Sequence, residues 1–137
     1  GDLTLYRGLE VKVRDGKAVI YGLSPEGTMP FVYASSDKGE AADFAVRPGQ
    51  RIHQGGDTVA VLIEFLPLPL GALAMDNFSV HSIRTELGAS RWHLNPTFNI
   101  KDFIKSVRLV QPATDTTGGQ VVEGPDGLVD FEVLPTP

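Results

Sequence analysis

The segment Arg91-Trp92-His93-Leu94-Asn95 sets the only tryptophan of the chain among side chains that donate or accept hydrogen bonds. A sugar presents an apolar face of C–H groups and a rim of hydroxyls, so an exposed ring flanked by such groups suits glycan recognition. Trp92 is the candidate stacking platform, and Arg91, His93 and Asn95 are the candidate polar rim. The opposing reading makes Trp92 a core anchor between two sheets. At the level of sequence both readings stand.

A second constellation is acidic. Asp37, Glu40 and Asp43 fall within seven residues, while Asp115, Asp126 and Asp130 lie near the C-terminal turns. Calcium takes about six to eight oxygen ligands, often with help from loop carbonyls, so Asp37, Glu40 and Asp43 are the candidate metal ligands and structural calcium the one cofactor allowed. Neither group follows EF-hand spacing, and a solvated acidic loop is the plainer reading. Catalysis has less to stand on. The chain has no Gly-x-Ser-x-Gly elbow, no phosphate loop and zero cysteines. His53, His81 and His93 do not stand at the i, i+4 spacing of a helical metal pair. A non-catalytic protein is the expectation, and a small hydrolase ranks last.

A third candidate is apolar. Leu66, Leu68 and Leu70, stiffened by Pro67 and Pro69, are either packed beneath a neighbouring loop or offered to a partner chain as an interface. Exposed, they would favour a homo-oligomer or a docking surface. Asn77-Phe78-Ser79 also fits the N-glycosylation pattern, which matters only for a secreted eukaryotic chain.

Composition narrows the partners. Twelve Lys and Arg against 17 Asp and Glu give a net charge of −5 with no basic cluster, which disfavours nucleic acid. The longest apolar run, Val59 to Met75, is broken by Pro67, Pro69 and Gly71 and falls short of the roughly 20 residues that span a bilayer. An extracellular or secreted setting is the expectation, and Leu134-Pro135-Thr136-Pro137 reads as the start of a Pro/Thr linker after one domain over residues 1–134.

The elements that must hold these groups are short. Fifteen Gly and 10 Pro among 137 residues disfavour long helices and favour turns between strands. Leu9, Val11 and Val13 alternate with charged residues before Asp15-Gly16 and Lys17 to Tyr21, the pattern of a type I′ hairpin. A strand is expected at Pro30 to Ala34, one turn of helix capped by Ser36 through Asp43, and a strand over Phe44 to Gln50. Thr58 to Phe65 is the best core strand, with Val59, Val61, Ile63 and Phe65 on one face. Leu66 to Leu70 cannot continue it, because proline offers no ladder donor. Further strands are expected over Asn77 to Thr85 and Lys105 to Gln111, with at most a turn of helix before the latter. Residues 120–123 and 129–133 are expected to form a closing hairpin. Eight or nine such strands predict an all-β, antiparallel sandwich of jelly-roll or immunoglobulin-like kind with at most one short helix.

Ala45-Val46-Arg47-Pro48-Gly49-Gln50-Arg51-Ile52, followed by the strand Thr58 to Phe65, resembles the Val-x-Pro-Gly turn that feeds a central strand in jelly-roll carbohydrate-binding modules. Trp92 before Phe98, and the strand around Val107 and Leu109, follow the order of that family. The Leu-Pro-Leu-Pro-Leu segment and the chain beyond Gln111 depart from it. The resemblance implies a sandwich and glycan binding at Trp92. Two functions are therefore expected in order: a carbohydrate-binding module of a larger extracellular protein, or an assembly domain of a phage or surface appendage that oligomerises through its apolar loop.

Overall fold

The computed structural model describes residues 3–22, 32–46, 57–82, 84, 88–95, 97–114 and 118–135. Among them run β1 (Tyr6–Arg14), β2 (Lys17–Tyr21), β3 (Val32–Ser35), α1 (Lys38–Val46), β4 (Thr58–Phe65), β5 (Arg91–Leu94), β6 (Ile104–Pro112), β7 (Gly119–Val121) and β8 (Phe131–Leu134). The fold is all-β and sandwich-like, with one short helix, as the composition predicts. The strands follow the order β5-β3-β1-β4-β6-β7, and β2 joins β1 to β8.

The first hairpin forms where local chemistry places it. Asp15 at φ 53° and Gly16 at φ 76° make the two-residue turn, and Val13 faces Ala18 across it. Strand β1 then divides the sheet. One of its edges pairs with β4 from Tyr6 to Lys12, while β3 meets it at Tyr6 and β2 at Val13 and Arg14. Strands β2 and β8 turn Ala18, Ile20, Phe131 and Val133 onto the core that also holds Val61, Ile63, Phe65 and Val107. Alternation along β4 sends Leu62 to the opposite face, where it meets Ala41, Ala42 and Ala45 of α1 and Val110 of β6. Both faces of β4 are thus covered, which is why its sequence is apolar almost throughout.

Helix α1 corrects two expectations. Its cap is Asp37, whose Oδ1 accepts the Glu40 amide at 3.1 Å, while Ser36 instead donates to the Ser90 carbonyl. The helix also runs through Phe44 and Val46, where a strand is expected from sequence. Tertiary packing outweighs the weak propensity, because the alanine face sits directly on two glycines. A Cβ at Gly8 would lie 1.7 Å from the Ala41 carbonyl oxygen, and one at Gly119 would lie 2.2 Å from that of Ala42.

The C-terminal region corrects a third. Residues 120–123 and 129–133 do not pair with each other. Strand β7 pairs antiparallel with β6, and β8 pairs parallel with β2. Gly124 at φ 79° opens a 3-10 turn over Pro125–Gly127, and Arg108 reaches into it to donate to the Val122 and Gly124 carbonyls at 3.3 and 2.7 Å. The Val129 amide then returns to the Val107 carbonyl at 2.9 Å. The turn is an excursion along one edge of β6, after which the chain passes to β2.

The short helical turn before β6 is present at Lys101–Phe103, and β6 begins at Ile104. The expected strand over Asn77 to Thr85 is absent from its described part: Met75–Phe78 is a 3-10 turn, with Phe78 and Val80 exposed. His53, Asp115, Thr136, Pro137 and the stretch from Arg47 to Ile52 that carries most of the family resemblance lie outside the described residues. Among the described residues no helix is long and apolar enough to cross a membrane.

Candidate functional site: an apolar groove beside Trp92

Strand β5 pairs with β3, placing Trp92 opposite Ala34 and His93 opposite Tyr33. Successive side chains of a strand point to opposite faces. Trp92 and Leu94 accordingly join Ala34 in the main core, and Trp92 is only 8% exposed. Arg91 and His93 project from the other face, away from the indole ring.

Each residue of the expected polar rim has its own task there. Arg91 Nε reaches Glu40 Oε1 at 3.4 Å, with the guanidinium 5.1 Å from the Phe44 ring centroid. His93 Nδ1 meets Asp76 Oδ2 at 2.5 Å, and its ring stands edge-on to Tyr33 at 4.8 Å. Asn95 Oδ1 accepts the Thr97 amide and hydroxyl at 3.0 and 2.8 Å, a local Asx turn. Of the four expected ligand residues, Trp92 lines the apolar groove.

The acidic candidates are likewise dispersed. Asp37 caps α1, and Asp43 Oδ1 accepts the Gly119 amide at 2.9 Å, tying the helix to β7. Glu40 accepts from Ser35 Oγ at 3.0 Å and from Arg91, joining α1 to β3 and β5. Among the described residues no three His, Asp or Glu side chains are grouped to hold a metal ion. His81 is exposed, on the turn after Val80.

What the fold does assemble is apolar. After β4 the prolines end strand pairing, and the chain crosses to β5, where Leu73 bridges Leu94. The Ala74 amide donates to the His93 carbonyl at 3.1 Å and the Asn95 amide to the Ala72 carbonyl at 2.7 Å. This covers the outer edge of β5, which would otherwise present unpaired backbone groups. Leu68 packs onto the core, whereas Leu66 and Leu70 are exposed. Leu3, Leu5, Pro67, Leu68, Leu70, Leu73, Phe78 and Trp92 together line a groove of about 350 Å³. The aromatic and the leucine-proline candidates, separate in sequence, therefore share one concavity.

Asn77 ties the 3-10 turn that carries Phe78, a lining residue of that groove, to β5. Its Nδ2 donates to the carbonyls of Ala74 at 2.9 Å and His93 at 2.8 Å, and its Oδ1 accepts the His93 amide at 2.8 Å. A side-chain amide has the donor and acceptor of a peptide group, so buried Asn77 extends the pairing of β5 by one further rung. An acceptor for N-linked sugar must be accessible, and this side chain is buried, so the glycosylation pattern has no structural support in the folded chain. Asn77 and Asp76 carry no sequence signal that marks these roles.

Charge around the site is unusual in one respect. The guanidinium of Arg84 lies 3.7 Å over the Trp92 ring, and among the described residues no carboxylate pairs with it. Across the core, alternation places Arg7 between Leu5 and Leu9 on the inner side of β1, where burial lowers its guanidinium to about 10.

Compared with protein-family models, with curated proteins and with solved structures, the chain matches none.

Proposed function

We propose that this protein is a non-catalytic assembly domain that associates with a second copy of itself through the apolar surface formed by residues 66–80 and Leu3. The observation that carries this reading is where the exposed apolar side chains lie. Leu66, Leu70, Met75, Phe78 and Val80 fall within one 15-residue stretch, with Leu70 74%, Met75 84%, Phe78 54% and Val80 80% exposed. Scattered apolar residues need no explanation, but exposed apolar side chains concentrated in one segment that borders a groove point to an interaction surface.

Two features favour a second copy as the occupant. The patch holds both a concavity and projecting side chains, as a self-complementary two-fold interface requires. It also carries one charged residue in fifteen, Asp76, which is engaged with His93, so two chains of net charge −5 meet where repulsion is least. The glycan reading draws less support, because its platform is buried and its rim lies on the other face of β5.

Sedimentation velocity tests the assignment. The wild-type chain is expected to associate in the micromolar range, and Leu70→Asp to weaken association by at least about tenfold, since a charge in an apolar contact must be desolvated. Leu70 is exposed, so the variant should keep the wild-type circular dichroism. A wild-type chain that stays monomeric throughout overturns the proposal, and a glycan-array signal from that monomer moves the assignment to sugar binding.

A further inference from the structure

We propose that Arg84, whose guanidinium lies over the Trp92 ring, forms a binding site for a small organic monocarboxylate, in a cavity that adjoins the apolar groove at Phe78. The cavity measures about 390 Å³ and is lined by Asn77, Phe78, Ser79, Ser82, Arg84 and Ala89.

The guanidinium is the unusual member of that lining. Arg14 pairs with Glu132 and Arg91 with Glu40, and Arg108 donates to two carbonyls. Arg84 has no carboxylate within reach among the described residues, and its buried Nε makes no hydrogen bond. The guanidinium carbon lies 3.7 Å from the Trp92 ring centroid, and the N–H groups of this planar fork point within its own plane. A planar carboxylate accepts such a fork through two parallel bonds.

Charge selects a monoanion. Arg84 is the one cation among the described lining residues, and the protein carries −5 overall. A phosphate dianion would be left with uncompensated charge, whereas one carboxylate matches one guanidinium. Phe78 and Ala89 offer apolar contact to a short hydrocarbon body. Phe78 lines both this cavity and the apolar groove.

Trp92, the chain's only tryptophan, makes the test direct, since all indole fluorescence comes from beneath Arg84. The full chain at submicromolar concentration is titrated at constant ionic strength with butyrate, with its neutral twin butyramide, and with inorganic phosphate. Butyrate is expected to change the emission saturably in the millimolar range or below. Butyramide should give no saturable change, and phosphate should bind at least about tenfold more weakly. Arg84→Gln should abolish the butyrate response, while Arg84→Lys, which keeps the charge without the planar fork, should weaken it and preserve the order of the ligands. An absent butyrate response overturns the proposal, as does one that survives in Arg84→Gln or is matched by butyramide or phosphate. Should Arg84→Gln fail to fold, the Arg84→Lys titration and the wild-type ligand order decide the matter.

Discussion

Asn77→Ala is expected to lower the unfolding free energy by about 2–4 kcal/mol, because it orphans one amide and weakens the satisfaction of two buried carbonyls. The His93 amide loses its acceptor, and the Ala74 and His93 carbonyls lose a donor. A cavity the size of the amide adds to the cost. Asn77→Asp is the sharper variant. It can still accept the His93 amide but cannot donate, and it sets a carboxylate against two carbonyl oxygens, so it should be no more stable than the alanine variant. Urea denaturation measures both. A loss below about 0.5 kcal/mol, the usual range for exposed substitutions, would show that Asn77 does not hold the 3-10 turn against β5. Because Met75 and Phe78 ride on that turn, both variants should also weaken self-association beyond their effect on stability.

Gly8→Ala is the second large effect. The added methyl would sit 1.7 Å from the Ala41 carbonyl oxygen, which belongs to helix backbone and cannot swing aside as a flexible side chain would. Either α1 lifts from β1 and β4 or β1 bends, and overpacking of this kind costs about 1–3 kcal/mol and occasionally more. Gly71→Ala is the matched control, since a Cβ there meets nothing within 4 Å. Thermal unfolding should show a clear fall for Gly8→Ala and little change for Gly71→Ala. Equal stability of the two would contradict the contact between α1 and β1.

These two residues also mark what can be read from sequence. Asp15-Gly16 and the strand Thr58 to Phe65 are legible because their signals are local: a turn needing positive φ, and an apolar run of strand length. The helix is not. Gly39 and the strand-like Phe44-Ala45-Val46 argue against it, and its stability comes from Gly8 and Gly119, which lie far from it in the chain. The closing hairpin fails for a related reason, since turn chemistry at Gly124 to Gly127 specifies a bend without specifying which strands flank it in space.

The site was half legible. Proline chemistry separates Leu66 to Leu70 from the preceding strand, and the exposure of Leu66 and Leu70 follows from that break. The rim around Trp92 was misassembled by sequence adjacency. Once residues 91–94 form a strand, Arg91 and His93 must face away from Trp92, and the true neighbour of the indole is Arg84. Asn77 lay beyond reach because nothing in its surroundings shows that a side-chain amide will serve as a rung of the sheet.

Self-association through residues 66–80 is the central claim, and a cysteine-free chain allows it to be tested at one position. Met75→Cys places a lone thiol in the middle of the patch, and Gln120→Cys places one on exposed strand β7, away from it. Treated with a short bismaleimide at micromolar protein, Met75→Cys is expected to give a covalent dimer, and Gln120→Cys to remain monomeric on a denaturing gel. Cross-linking that is equal at the two positions, or confined to Gln120→Cys, would contradict the account.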